Sequence, residues 1–90
     1  MIRIEFTKNI QRHVECPPTE IDGAATVADA LDAVFERLPQ ARGYVVDERG
    51  RLRKHMNIFV NGEPVKDRET LSDPLDDGAE VYVMQALSGG

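Results

Sequence analysis

An α+β fold, with a mixed sheet of four to five strands laid around one main helix, is the architecture this 90-residue chain predicts. Three observations lead there. Ile2, Ile4 and Phe6 alternate with Arg3, Glu5 and Thr7, and a second alternating run closes the chain over Glu80 to Gln85; period two is the mark of a half-buried strand. Val27, Ala30, Leu31, Val34, Phe35 and Leu38 recur at helical spacing, giving one apolar stripe that must be buried against something. Asn61-Gly62 directly after Ile58-Phe59-Val60 is a strong two-residue hairpin signal.

The elements follow in order. After the first strand, Asn9 and Gln11 suit a turn. Val14 and Cys16 resume alternation, Pro17-Pro18 interrupts that strand or confines it to an edge, and Ile21 continues it before Gly23. Thr26 is placed as a helix N-cap with Asp29 three residues on, a capping-box-like spacing. Asp29 and Asp32 also lie near the positive end of the helix. Pro39 ends the helix, because the residue before proline is pushed out of the α region. Residues 40 to 56 are the least periodic stretch: Val45-Val46 is a short apolar element, Asp47 to Gly50 a turn, and Arg51-Leu52-Arg53 a strand edge. Glu63-Pro64-Val65 returns from the hairpin as a short or edge strand. Leu71 and Pro74-Leu75 form a one-turn helix or compact loop over the core, and Asp77-Gly78 turns the chain into the last strand. One helix stripe and one sheet face can satisfy each other in this order as the β-grasp arrangement of ubiquitin-like domains. The expected organisation is a single domain over residues 1–85 and a flexible tail over residues 86–90.

Composition excludes several function classes. The net charge is −5, which argues against nonspecific nucleic-acid binding and suggests that a stable partner presents a basic surface. No apolar run approaches the length of a membrane span, and the start lacks a signal-peptide pattern, so no membrane association and a cytoplasmic location are expected. The single cysteine, Cys16, rules out an intrachain disulfide. Two histidines, His13 and His55, fall short of a metal ligand set, so no metal is expected. No P-loop, dinucleotide fingerprint or nucleophile–base pair is found, so no catalytic residue is assigned and no cofactor is expected to be bound. Asp76-Asp77 reads as turn chemistry.

The chain ends on Gly89-Gly90. Two residues without Cβ can enter a channel too narrow for any other residue type. A terminal glycine carboxylate is small and unhindered, so this end reads as a group presented to another protein's active site.

Two segments together carry a family likeness: Asn57-Ile58-Phe59-Val60-Asn61-Gly62-Glu63, and Pro74-Leu75-Asp76-Asp77-Gly78-Ala79-Glu80-Val81-Tyr82-Val83 running on to Ala86-Leu87-Ser88-Gly89-Gly90. The pattern resembles the MoaD/ThiS family of sulfur-carrier proteins. The resemblance implies a β-grasp fold and a C-terminal glycine that a ubiquitin-activating-like adenylyltransferase adenylates with ATP. A sulfur donor then makes the thiocarboxylate, which delivers sulfur to a biosynthetic enzyme. Gly90 would be the group modified and Gly89 the residue that permits threading. Residues 86–90, fully extended, span at most about 17–18 Å. The stretch Gly50-Arg51-Leu52-Arg53-Lys54-His55 leading into Met56-Asn57-Ile58 resembles the longer CysO-type carriers that feed cysteine synthesis. The alternatives are a small subunit of molybdopterin synthase and a ubiquitin-like modifier joined to lysines through Gly90. Some relatives carry residues after the diglycine that a protease removes; this chain as given needs no such processing.

Remaining candidates are weighed on residue chemistry. Cys16 is read as core packing, since in an alternating strand His13 would point to the opposite face and could not serve as its base. Arg49, Arg51, Arg53 and Lys54 read as a solvated, edge-protecting strand, with docking of a partner or of the phosphate region of a nucleotide-bearing enzyme as the second reading. If Ile58, Val60, Val81 and Val83 face the helix, parity sends Phe59, Tyr82 and Met84 to the open sheet face. With Leu87 in the tail, these three are the expected partner-docking residues.

Overall fold

The computed structural model describes residues 1–85. The proposed tail, with Leu87, Gly89 and Gly90, lies outside the described residues. In chain order the elements are β1 (Ile2–Phe6), α1 (Lys8–Gln11), β2 (Thr19–Ile21), α2 (Val27–Arg37), α3 (Pro39–Val45), β3 (Met56–Val60), β4 (Glu63–Pro64) and β5 (Glu80–Gln85). The five strands form one sheet in the order β2-β1-β5-β3-β4. β1 and β5 run parallel; the other neighbours are antiparallel. This is a β-grasp fold, with the first and last strands paired at the centre.

The core is the apolar face of the sheet closed by α2. Ile2, Ile4 and Phe6 from β1, Ile58 from β3, and Val81 and Val83 from β5 are buried against Val27, Ala30, Leu31, Val34 and Phe35. Alternation in the strands and the stripe in the helix therefore meet as their periods require. Val60 is only half-buried, at the sheet's periphery.

The N-terminus of α2 is held from two sides. Thr26 Oγ1 accepts the Asp29 N–H at 3.2 Å, and the Asp29 carboxylate accepts the Ala25 N–H at 3.3 Å. The loop before β5 supplies the rest. Asp73 and Leu71 offer carbonyl oxygens to the N–H groups of Val27 and Ala28, at 3.0 and 2.9 Å. Four helix-start donors would otherwise lack partners, so this loop both covers the core and caps the helix. Asp67 organises it. Its carboxylate accepts from the Glu69, Thr70 and Ser72 N–H groups and from the Thr70 and Ser72 hydroxyls. Those donors hold its carboxyl well below the usual carboxylate range, the Ser72 hydroxyl contributing most.

The structure corrects four expectations. Asn9 and Gln11 belong to the short helix α1, which drives Ile10 into the core, instead of a turn. Val14 and Cys16 are not in a strand. β2 begins only after Pro17-Pro18, because prolines cannot donate to a ladder. Pro39 does end α2, with Leu38 at φ −129, but it also opens α3; proline's missing N–H costs nothing at a first helical position. The stretch from 40 onward is therefore partly helical. Arg51-Leu52-Arg53 contributes a single bridge, Val46 to Leu52, across the expected Asp47–Gly50 turn. The Asn61-Gly62 hairpin is as expected, with φ of +50 and +86.

Candidate functional site

Parity and register build the open face of the sheet. On β3, Asn57 and Phe59 point away from buried Ile58; on β5, Tyr82 and Met84 point away from Val81 and Val83. Phe59 stands opposite Tyr82, and Asn57 opposite Met84. On the other side of β5, Tyr82 is in register with Glu5 of β1. A row of Phe59, Tyr82 and Glu5 thus crosses three strands. Arg3 and Glu5 are bonded at 2.6 Å and form its polar border. Together with Gly62, Glu80 and Met84 these residues line a depression of about 440 Å³. Tyr82 is 41% exposed, among the few large apolar side chains on the surface. Phe59, Tyr82 and Met84 are therefore brought together as one patch. Leu87, the fourth expected member, lies outside the described residues.

β5 delivers the chain toward residue 86 at Gln85. Gln85 pairs with Met56 and accepts a bond from the Asn9 amide at 3.2 Å. A depression of about 240 Å³ beside it is lined by Gly43, Tyr44, Arg53, His55 and Met56. Tyr44 stacks on His13, with ring centres 5.9 Å apart and 18° between planes.

The basic run does not form the regular edge strand expected of it. Arg51 pairs with Asp47 at 3.0 Å, and Arg53 donates to the Gly43 carbonyl at 2.6 Å. The Arg51 N–H, the Arg49 N–H and the Arg51 guanidinium hold the Asp47 carboxyl below its ordinary value, the Arg51 N–H most strongly. Arg68 reaches in from the loop after β4. It donates to Asn57 Oδ1 and to the carbonyls of Arg53 and Met56, at 3.2, 3.0 and 2.7 Å.

Cys16 is buried, with Sγ 3.4 Å from the Val14 carbonyl. Burial pushes its thiol pKa up, which makes it a poor nucleophile. The core reading of Cys16 stands, although the strand parity used to reach it does not apply. Among the described residues no group of three or more His, Cys, Asp or Glu side chains could hold a metal ion. Among the same residues no helix is long and apolar enough to cross a membrane.

Sequence reasoning missed Arg3, Glu5, Asn57 and Arg68 as neighbours of the patch. Alternation already placed Arg3 and Glu5 on the open face; the missing fact was that β1 lies beside β5. Arg68 carries no local signal, because its loop is not periodic.

Comparison with known proteins adds four findings. The ThiS family profile matches residues 11–90. Small archaeal modifier protein 1 of Haloferax volcanii is 35% identical over 71 residues, 79% of this chain and 77% of that protein. A crystal structure of SAMP1 from Haloferax volcanii superposes with a TM-score of 0.78 at 28% identity, covering 99% of this chain and 98% of that one. A chain from the crystal structure of the BexX/CysO complex of Amycolatopsis orientalis superposes with a TM-score of 0.82 at 25% identity, over 100% of both chains.

Proposed function

The chain belongs to the ThiS family, and from that premise we propose that it is a sulfur carrier acting through the carboxyl of Gly90. The observation that carries the reading is the extent of the family match, which continues through Gly89 and Gly90. On this reading a ubiquitin-activating-like adenylyltransferase spends one ATP per cycle. The Gly90 carboxylate attacks the α-phosphorus, pyrophosphate leaves, and an acyl-adenylate forms. A hydrosulfide equivalent from a sulfur donor then attacks the acyl carbon and expels AMP, leaving a thiocarboxylate. Activation has to come first because an anionic, resonance-stabilised carboxylate is a poor electrophile. The protein's part is recognition and reach, with Phe59, Tyr82, Met84 and Leu87 as the surface offered to partners.

For the branch we favour a cysteine-forming acceptor enzyme. Support comes from the long connection between α2 and β3 and from the likeness to a chain of the BexX/CysO complex. A second reading, conjugation of Gly90 to lysines of target proteins, is favoured by the likeness to a small archaeal modifier protein. Both readings share the acyl-adenylate and a partner-supplied catalyst.

Intact-mass measurement tests the first reading. After incubation with the activating enzyme, ATP and a sulfur source, the protein should gain the difference between one sulfur and one oxygen atom. An unchanged mass with the correct enzyme refutes it. Gly-Gly remnants on cellular lysines, without free thiocarboxylate, would decide for conjugation.

A further inference from the structure

Cations in this acidic chain are not spread evenly. The net charge is −5, yet Arg51, Arg53, Lys54 and Arg68 line one depression of about 680 Å³ against two carboxylates, Asp47 and Glu69. Asp47 is already engaged by the Arg51 guanidinium and by the N–H groups of Arg49 and Arg51. Arg53 and Arg68 donate to carbonyl oxygens and to Asn57, none of which carries a formal charge. These bonds hold the two guanidinium groups in place without neutralising them. A preorganised charge loses less side-chain freedom when it meets a partner. Lys54 has no hydrogen-bond or ion-pair partner among the described residues.

Position says what such a collar faces. The smaller depression at Gln85 shares Arg53 and His55 with it, so positive charge reaches the point where β5 hands over to residue 86. On the other side, Arg68 bonds Asn57, and Asn57 stands opposite Met84. Asn57 therefore joins the cationic surface to the Phe59–Tyr82–Met84 patch.

We infer that this collar receives an acidic segment of a protein partner at the rim of its active-site channel, and so orients residues 86–90 for entry. The inference rests on the carrier-or-modifier reading above. The net charge of −5 calls for a basic partner surface against the body of the molecule, but the collar is locally opposite in sign. An acidic rim is repelled elsewhere and attracted here, which selects one orientation of approach. Nucleic acid fits less well, because it is anionic along its whole length and meets the acidic remainder of this molecule as well, whereas a protein partner can confine its carboxylates to one rim.

The test follows ATP–pyrophosphate exchange by the ubiquitin-activating-like enzyme of the same source, at low and high salt. Lys54→Glu should lower kcat/KM about tenfold at low ionic strength, within the range of electrostatic steering. The deficit should shrink toward 1 M salt, where the Debye length falls to about 3 Å. Lys54→Arg should retain wild-type rates, and Lys66→Glu, at a position that does not line the depression, should match them. If wild-type protein is activated and Lys54→Glu behaves like Lys66→Glu, the inference is overturned and the carrier-or-modifier reading survives. If wild-type protein is not activated at all, that reading falls and the inference with it. As a second arm, amide shifts of labelled protein are followed with decaglutamate and with a short oligothymidylate. Stronger perturbation of residues 53–57 by decaglutamate supports a protein partner; stronger perturbation by the oligonucleotide overturns it.

Discussion

Replacing Tyr82 by alanine should cost the protein its partner before it costs it its fold. Tyr82 keeps 41% of its surface exposed in the free protein. An aromatic side chain of this kind can bury about 200 Å², so about 80 Å² remains for a partner to cover. At about 25 cal/mol per Å² that area is worth about 2 kcal/mol. A loss of about 2 kcal/mol weakens binding about thirtyfold. The folding cost is smaller, under about 1 kcal/mol, because the residue sits on the solvent side of a strand and loses mainly strand preference. The assay is kcat/KM for adenylation against urea unfolding of the same samples. Most of the change should fall in KM, since Tyr82 is remote from the reacting carboxyl in sequence. Wild-type kcat/KM in Tyr82→Ala would refute the reasoning. So would a drop in activity matched by an equal drop in stability, because the patch would then be structural.

Three further outcomes follow from the described residues. Asn61→Ala should destabilise by about 1–2 kcal/mol in urea, since alanine pays for a left-handed backbone and Glu80 N–H loses its bond to Asn61 Oδ1; Asn61→Gly should recover part of this. The Asp67 carboxyl is held low in the folded state, so its contribution is present above the unfolded value of about 3.9 and is lost as pH falls below that toward the folded value; in acid titrations followed by circular dichroism, Asp67→Asn should flatten this part of the curve. Cys16 should resist alkylation at mildly alkaline pH and react only as the chain opens, and rapid stoichiometric labelling of the native protein would show that its thiol is not shielded.

Elements written in a single period were legible in the sequence. β1, α2, β3 and β5 each bury one face, and their alternation or helical stripe says which. The Asn61-Gly62 turn was legible for a different reason: two successive positive φ values are cheap only for residues of that kind. α1 was not legible. It has four residues, no side-chain cap bond, and one buried side chain, Ile10; a single apolar residue has no period. α3 was hidden by proline, which reads as a stop from one side and as a start from the other. The open-face patch was readable by parity within β3 and β5. Its border was not, because Arg3 and Glu5 join it only through the parallel pairing of β1 with β5, a contact between the two ends of the chain. The cationic collar was visible as Arg51, Arg53 and Lys54, but its fourth member, Arg68, comes from the Asp67 loop and is placed by carbonyls of the β3 approach.

The place of β5 in the sheet sets how firmly residues 86–90 are rooted. β5 is the central strand, bonded to β1 along one edge and to β3 along the other, with Val81 and Val83 in the core. Peeling it away would break two ladders and expose both valines at once, so it should open only with the whole domain. β2 and β4 are edges of three and two residues and can fray locally. Native-state hydrogen exchange should therefore show amides of residues 81–83 exchanging with the free energy of global unfolding measured by denaturant, and β2 and β4 exchanging at much lower cost. On the proposed function, presentation of the C-terminal segment to partner enzymes needs that segment to start from a fixed point. If β5 amides exchanged as readily as those of β2, the root would yield during threading, and recognition could not be assigned to a preformed sheet face.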